Sequence, residues 1–399
     1  MLPLAGLRIV AVEQYGAGPF GTQHLADLGA DVIKVENPAL GGDVARSVGP
    51  HFLDGGESSA SSLFFQSFNR NKRSIALDLS RAGGRRVFHD LVRTADAVAC
   101  NNRGDVQDKL GLTYAHLGKV KQSIVCAHLT GYGREGERAA WPGYDYLLQA
   151  EAGYFAVTGE PGSPPARMGL SIVDFMAGAY LALAVVSGVH QARETGRGRD
   201  MDVTLFDTAV FNLNYLATWY LASGHNQGRE PRSAHPSLTP CQLYMTKDGW
   251  IYLMCNKEKF WEELCGKIGR AEWAIDPRFA QFSDRLRNRE ALTGMLDDVL
   301  SEKTTAEWMA VFAGAVPAAP LNDVAQALDN PFVANRGRIQ DLSQPGGGTF
   351  RMLASPIQCP GEAPPASPGP ALGGDTEALL DELGYDSETR LRLLDTGVG

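Results

Sequence analysis

The chain has 399 residues and a formal net charge of −9. This acidic balance disfavours nucleic acid as a partner, because no basic excess offsets the repulsion of the phosphates. Hydrophobic residues make up 44% of the chain, which excludes global disorder and permits a large core, and the length suits two domains.

Three further features predict a cytoplasmic protein with no membrane partner. The six cysteines form no CxxC pair and have no metal-ligand spacing, so we expect reduced thiols and no metal site. The N-terminal residues lack a basic segment, and Arg8 and Glu13 interrupt the apolar run that an export signal needs. The longest uncharged apolar run, 175–189, is shorter than the roughly 20 residues that span a bilayer.

The first half of the chain alternates between two kinds of segment. Short runs rich in branched apolar residues are typical of buried parallel strands, and helical patterns separate them. The predicted strands are residues 7–13, 30–36, 74–79, 95–101 and 123–133. This alternation predicts an α/β fold with a Rossmann-like, doubly wound parallel sheet.

A glycine-rich turn, GAGPFG at residues 16–21, follows the first strand, and Glu36 ends the second. The pattern matches a dinucleotide fingerprint, in which glycines admit a pyrophosphate and an acid binds a ribose hydroxyl. However, Glu36 lies closer to Gly21 than the usual spacing of about 20 residues. The turn therefore leaves three interpretations open: a nicotinamide dinucleotide site, a site for another phosphate-bearing ligand, or a purely structural turn.

A positive region lies within this acidic protein, because residues 70–109 contain nine Lys or Arg and five Asp residues. Such a region favours a ligand with several phosphates, although some of these cations suit a solvated helix face equally well. Asn101, Asn102 and Arg103 follow a predicted strand, where open α/β sheets bind their ligands. They are the stronger candidates for ligand contacts.

Asp174 is the single formally charged residue between Arg167 and Arg193. Burying an ionised carboxylate costs several kcal/mol or more, unless hydrogen bonds or positive potential offset the cost. The residue is either a structural cap in the first turn of a helix or a nucleophile that attacks an electrophilic carbonyl. Tyr144 and Asp145, beside another helical pattern, are candidates for the same site.

After the Asp174 helix the pattern changes, and a second domain is predicted. We expect a large Rossmann-like domain over 1–200, a linker helix over 201–227, a small domain over 228–330 and a C-terminal segment over 331–399 that returns to the large domain. The small domain begins with CQLYMTKDGWIYLMCN, where alternating strands flank a Lys-Asp-Gly turn and predict a β-hairpin. Helical segments follow it, so its class is α+β.

Several segments together resemble the family III CoA-transferases, a group that includes formyl-CoA transferase, carnitine-type enzymes and acyl-CoA racemases. In chain order they are LAGLRIVAVEQYGAGPFGTQHLADLGADVIKVENP, NRNKRSIALDL, GYD, GLSIVDFMAG and TGRGRDMDVTLFD. The resemblance returns in the tail, ALGGDTEALLDELGYD. It implies an interlocked, ring-like homodimer with CoA bound at the sheet edge of the large domain.

The resemblance also implies the chemistry. Asp174, in GLSIVDFMAG, stands at the position of the family's nucleophile, with Tyr144 and Asp145 as further catalytic candidates. CoA would pass from an acyl-CoA thioester to a free carboxylic acid through an aspartyl-CoA thioester, with no metal and no tightly bound cofactor. The implied CoA contacts are Gly16, Ala17, Arg73, Leu77, Asn101, Asn102, Arg103 and Lys109.

The sequence does not identify the substrate acid, and it leaves two alternative functions to be considered. The glycine-rich loop of formyl-CoA transferase is replaced by SAHPSLTPCQLY, so we expect an acid other than formate or oxalate, with a dicarboxylate as one candidate. An acyl-CoA racemase would need a histidine base where this chain has Tyr144, and a tyrosine with a pKa near 10 is a poor base. A CoA-binding sensor without catalysis is the other alternative.

Overall fold

The computed structural model describes residues 1–53, 59–344, 348–363, 365–394 and 397–398. The chain forms two compact units. The first comprises Met1–Ala152, Gly169–Asn214 and Val333–Gly399, and the second comprises Gly153–Met168 and Tyr215–Phe332.

A parallel sheet of six strands is the centre of the first unit. Its strands are β1 (Arg8–Val12), β2 (Asp31–Glu36), β3 (Arg73–Ala76), β4 (Ala97–Cys100), β5 (Val125–Thr130) and β6 (Asp200–Thr204). Their order in the sheet is β3-β2-β1-β4-β5-β6, with each neighbouring pair parallel. This is the Rossmann order, in which ligands bind where β1 and β4 diverge. The predicted α/β fold with a parallel sheet is confirmed.

Helices connect these strands and build the second unit. In the first half of the chain they are α1 (Ala17–Asp27), α2 (Leu63–Asn69), α3 (Ala82–Thr94), α4 (Gly104–Gln107), α5 (Tyr114–Leu117), α6 (Asp145–Glu151), α7 (Tyr154–Val157) and α8 (Ile172–Thr195). The later ones are α9 (Leu205–Phe211), α10 (Tyr215–Ser223), α11 (Glu258–Lys267), α12 (Phe282–Arg287), α13 (Arg289–Leu300), α14 (Thr305–Phe312), α15 (Val324–Leu328), α16 (Pro331–Asn335), α17 (Thr376–Glu382) and α18 (Ser387–Leu394).

The long helix α8 packs against α1 and against β5 and β6. The two helices approach closely because Gly21 of α1 faces Gly178 of α8, and a Cβ atom on Gly21 would overlap the Gly178 carbonyl oxygen. By length and composition alone α8 could cross a membrane, but half of its most apolar stretch is buried inside the protein. Its packing is that of a core helix.

The predicted linker helix over 201–227 is not a single helix in the structure. The segment contains most of β6 and the separate helices α9 and α10. Asn214, between the two helices, has a φ of 49°, in the left-handed region that interrupts a right-handed helix. The prediction of one linker helix is therefore wrong, because the sequence pattern does not reveal the break at Asn214.

The second unit is built on an antiparallel sheet. Its strands are β7 (Cys241–Thr246), β8 (Gly249–Met254) and β9 (Ala318–Pro320), in that order. The β7–β8 pair confirms the predicted hairpin. Its core joins Tyr244 and Ile251 of the sheet to Trp261 and Trp308 of the helices.

The C-terminal residues pack on the first unit. Strands β10 (Ile339–Ser343) and β11 (Thr349–Leu353) form an antiparallel pair. Asp375, just before α17, accepts a hydrogen bond from the Ser74 N–H of β3 at 2.8 Å. Leu379 of α17 joins the core on this face of the sheet.

Candidate active site

One cavity of the first unit lies at the carboxyl ends of β1, β4 and β5. It has a volume of about 540 Å³. Its lining includes Gln14, Gly16, Asn101, Tyr144, Asp145 and Asp174. This is the position where a sheet of this strand order binds its ligands, because the chain leaves β1 and β4 in opposite directions.

Asp174 lies in the first turn of α8, and only 8% of its surface is exposed. Burial, together with the negative charge of Asp145, raises the pKa of its carboxyl group from 3.8 to about 7. A carboxylate that ionises near neutral pH and has lost most of its hydration is a stronger nucleophile than one in water.

Asp145 begins α6 and is buried beside Asp174. Its Oδ2 accepts the backbone N–H of Asp174 at 2.9 Å, and its Oδ1 accepts a bond from Gln149 Nε2 at 2.6 Å. Gln149 also donates to the Leu170 carbonyl oxygen at 3.0 Å. Asp145 and Gln149 thus orient the first turn of α8, whereas Tyr144 lines the cavity and is 60% exposed.

The glycines of the turn after β1 are explained by close packing around the site. A Cβ atom on Gly16 would lie 2.7 Å from Oδ2 of Asp174, and one on Gly18 would lie 2.8 Å from Cγ of Asn101. Because α1 begins at Ala17, the N–H groups of its first turn follow directly after the residue that contacts Asp174. The turn therefore brings a helix N-terminus against Asp174.

Glu36, the acid of the apparent dinucleotide fingerprint, is already fully bonded. Arg46 donates to both its oxygens, at 2.8 and 2.6 Å, Ser74 Oγ donates at 2.6 Å and the Asp43 N–H at 2.9 Å. These four bonds occupy the acceptor positions of a carboxylate. Glu36 therefore has no acceptor position left for a ribose hydroxyl. The interpretation of the turn as a nicotinamide dinucleotide site thus lacks the acid that would bind the ribose.

Comparison with known proteins decides the family. A model of CoA-transferase family III matches residues 4–376. The chain belongs to CoA-transferase family III.

Relatives cover nearly the whole chain. The chain is 35% identical to the acetyl-CoA:oxalate CoA-transferase of Acetobacter aceti over 384 residues, 95% of each protein. It is 33% identical to the succinate–glutarate CoA-transferase of Agrobacterium fabrum over 394 residues, 96% of each. A solved CAIB/BAIF family protein from Brucella suis is 35% identical, with a TM-score of 0.82 over 96% of this chain and 99% of that one. The resemblance in the sequence is confirmed, and the racemase alternative is not favoured.

The residues that the family resemblance implies as CoA contacts are divided between the cavity beside Asp174, a second cavity and positions outside both. Gly16, Ala17, Asn101, Asn102 and Arg103 line the cavity. Asn101 is held by the backbone of Gln14, with its Oδ1 accepting at 2.9 Å and its Nδ2 donating at 2.8 Å. These five residues therefore line the same cavity as Asp174.

Leu77 lines a second cavity of about 290 Å³, which shares Gln14, Asn102 and Val106 with the first. Arg73 and Lys109 line neither of these cavities. Their charges are used in ion pairs, Arg73 with Glu382 at 2.6 Å and Lys109 with Asp105 at 3.1 Å.

The positive region over 70–109 is largely neutralised by tertiary contacts. Arg70 pairs with Asp27 at 2.5 Å, and the buried Lys72 pairs with Glu13 at 2.8 Å. Arg103 pairs with Asp105 at 3.2 Å. The local excess of cations in the sequence therefore overstates the positive field available to a ligand.

Some cavity residues were missed by the sequence reasoning. Tyr15, Phe64 and Phe68 line the same cavity, with ring centroids 5.1 Å apart for Tyr15–Phe64 and 5.0 Å for Phe64–Phe68. The four-residue spacing of the two phenylalanines on α2 was an available signal of a shared helix face. Within the described residues, no group of three His, Cys, Asp or Glu is placed to hold a metal ion.

Proposed function

We propose that this protein transfers CoA from an acyl-CoA thioester to a free carboxylic acid through a thioester on Asp174. The observation that carries the proposal is the buried Asp174 carboxyl group, whose pKa is raised to about 7, in a cavity at the carboxyl edge of the sheet. Family membership supports the same reaction class.

The reaction proceeds by exchange of acyl groups. A carboxylate oxygen of Asp174 attacks the thioester carbonyl carbon, and the C–S bond breaks. CoA departs as the thiolate, and a mixed anhydride of Asp174 and the first acid is formed. The thiolate attacks the aspartyl carbonyl carbon, the first acid leaves as a carboxylate, and an aspartyl-CoA thioester remains. The second acid repeats both steps in reverse and restores Asp174. Each step exchanges one leaving anion for another, so no net proton transfer is needed.

Positioning and oxyanion stabilisation supply the catalysis. Asp145 and Gln149 hold the first turn of α8, as their hydrogen bonds indicate. Backbone N–H groups at the N-termini of α1 and α8 stabilise the negative oxygen of each tetrahedral intermediate. The exposed Tyr144 hydroxyl contacts the bound acyl group.

The two adjoining cavities support a path for CoA along the sheet edge. The nucleotide end occupies the cavity beside Leu77, and the pantetheine arm passes Gln14 and Asn102 to reach Asp174. Arg103 lines the cavity beside Asp174 and would exchange its ion pair with Asp105 for a phosphate of CoA. CoA is a substrate in this scheme, with no tightly bound cofactor.

We propose a dicarboxylic acid as the acceptor, because the names of the relatives include oxalate and glutarate. The segment SAHPSLTPCQLY, which replaces the glycine-rich loop of formyl-CoA transferase, favours a dicarboxylate larger than oxalate. Purified protein is incubated with succinyl-CoA or acetyl-CoA and a panel of mono- and dicarboxylic acids, and CoA esters are identified by mass spectrometry. A new CoA thioester of an added dicarboxylate is expected, and none with Asp174→Asn. Deuterium uptake at the α-carbon of a 2-methylacyl-CoA without an acceptor would instead support the racemase.

We also propose a cytoplasmic homodimer with interlocked, ring-like chains. Apolar side chains on α8 and α9 are left exposed, among them Leu183 at 63% and Phe211 at 71%, as expected of a protein–protein contact. All six cysteines are free, in line with a reducing compartment. Light scattering at micromolar concentration is expected to give twice the chain mass, and a monomer would contradict the dimer.

A further inference from the structure

Four charged side chains form a cluster beneath the turn that carries Gly16. We call Glu13, Lys34, Asp43 and Lys72 the buried charge cluster, and each of these side chains has 0% of its surface exposed. Lys34 Nζ lies 2.8 Å from Asp43 Oδ2 and 3.9 Å from Glu13 Oε1, and Lys72 Nζ lies 2.8 Å from Glu13 Oε1. Two cations and two anions are thus balanced away from water.

The cluster is bonded to the backbone of the turn between β1 and α1. Asp43 Oδ1 accepts the Tyr15 N–H at 2.9 Å. Lys34 Nζ donates to the Glu13 carbonyl oxygen at 3.0 Å, and Lys72 Nζ donates to the Pro19 carbonyl oxygen at 2.9 Å. The segment from Glu13 to Pro19 is therefore held at its start, its middle and its end.

The middle contact lies at an unusual backbone position. Tyr15 has a φ of 72°, in the left-handed region that residues other than glycine rarely occupy unless their surroundings impose it. The next residue is Gly16, where a Cβ atom would lie 2.7 Å from Oδ2 of Asp174. A change at Tyr15 thus moves the peptide that covers the nucleophile.

We propose that the buried charge cluster is a positioning device that holds the Tyr15–Gly16 peptide against Asp174 and keeps water from the aspartyl thioester. The inference rests on the proposed function. In the competing hydrolysis, a water oxygen bonds to the aspartyl carbonyl carbon, the C–S bond breaks, CoA leaves as the thiol and the Asp174 carboxyl group is restored. The cluster acts through the backbone and does not touch the substrate.

A buried ion pair at the opposite end of α1 provides a matched control. Asp27 and Arg70 lie 2.5 Å apart, with side chains 3% and 8% exposed. Buried ion pairs are not in general a source of net stability, but breaking one by removing a partner is destabilising in either place. The two pairs therefore differ in their contact with the turn and not in their burial.

The experiment compares Asp43→Ala, Asp43→Asn and Asp27→Asn in the full-length protein, with acyl-CoA donor and acceptor acid. The ratio of hydrolysis to transfer is measured, because this ratio does not depend on how much of the enzyme is folded. We expect Asp43→Ala to raise the ratio at least tenfold and lower kcat, with KM for the donor within threefold. Asp43→Asn keeps an acceptor oxygen for the Tyr15 N–H. We therefore expect its ratio of hydrolysis to transfer and its kcat to be closer to the wild-type values than to those of Asp43→Ala. Asp27→Asn should lower the melting temperature and leave the ratio unchanged.

A second variant keeps the test decisive if Asp43→Ala does not fold. Lys34→Met/Asp43→Leu removes one cation and one anion together, and so leaves no unpaired buried charge. The double variant is expected to fold and to show the raised ratio. A wild-type ratio in this variant, or in folded Asp43→Ala, overturns the positioning role. If the wild-type protein itself neither transfers CoA nor forms an adduct, the proposed function fails instead.

Discussion

Two regions of the first unit bury acidic side chains next to the turn between β1 and α1. The pKa of the buried carboxyl group is lowered in one region and raised in the other. In the buried charge cluster, burial opposes ionisation, but the charge of Lys34 and its hydrogen bond hold the pKa of Asp43 below its ordinary value. At the active site, burial and Asp145 together raise the pKa of Asp174 to about 7.

This difference in pKa is the difference expected between a structural carboxylate and a reactive one. A paired carboxylate is stabilised as an anion, which makes it a good anchor and a poor nucleophile. An anion that is buried without a cation gains stability when it forms a covalent ester or thioester, because its charge is lost. Among the described residues no cation forms an ion pair with Asp174, and we infer that the reaction requires this lack of compensation.

Removing the unpaired carboxylate is the change with the largest expected effect. Asp174→Asn keeps the size of the side chain but removes the nucleophile, so transfer should fall by roughly 10⁴-fold or more. Steady-state transfer assays with the purified variant measure the loss. Circular dichroism serves as the control for folding, and wild-type rates in a folded variant would refute the nucleophile assignment.

Adding a methyl group at the shared turn should have the next largest effect. Gly16→Ala places a Cβ atom 2.7 Å from Oδ2 of Asp174, closer than van der Waals contact allows. A displaced nucleophile is expected to lower kcat by about 100-fold. Gly266→Ala is the matched control, because no atom lies within 4 Å of its Cβ position. Equal kcat values for the two variants would mean that the contact with Gly16 is unimportant.

Changing the neighbour of the nucleophile tests the cause of its raised pKa. For wild type, kcat/KM should fall as the pH drops through about 7, since only ionised Asp174 attacks. Asp145→Asn removes the negative charge that disfavours ionisation, so the inflection should move to lower pH. The maximal rate should fall about tenfold from the weakened hydrogen bond to the Asp174 N–H. An inflection that stays in place would assign it to another group.

The smallest expected effect is on stability. The folded-state pKa of Asp174 lies above 3.8, so its ionisation opposes folding, and its contribution to stability is lost as pH rises from about 4 to 7. Asp174→Asn lacks this penalty, which has an upper bound of roughly 4 kcal/mol. At pH 8 the variant should therefore melt on the order of 2–5 °C above wild type, with no gain near pH 4. A gain of equal size at both pH values would point to a cause other than charge.

Much of the sheet, and the burial of Asp174 beside the cavity, could be predicted from local patterns. Buried parallel strands such as β1 and β4 are runs of apolar residues, and their alternation with helices determines the fold class. Asp174 is a candidate from the sequence because it is the single charge in a long apolar segment. Both signals lie within about 30 consecutive residues.

What the sequence could not predict depends on contacts between distant segments. Lys34 and Lys72 are adjacent to the same carboxylate only because β2 and the segment before β3 meet below the turn. Glu36 has the sequence position of a ribose-binding acid, but in the structure it accepts hydrogen bonds from Arg46 instead. A count of charges cannot distinguish paired side chains from free ones, so the positive region was overestimated.

The central claim is that Asp174 carries CoA between two acids, and mass spectrometry of the intact protein and of its proteolytic peptides tests it most directly. After incubation with the acyl-CoA donor and no acceptor, we expect a mass increase equal to CoA less one water on the peptide that contains Asp174. Hydroxylamine should convert this adduct to a hydroxamate, and neither product should form with Asp174→Asn. Rapid CoA transfer in the absence of any adduct or hydroxamate on that peptide would contradict the account.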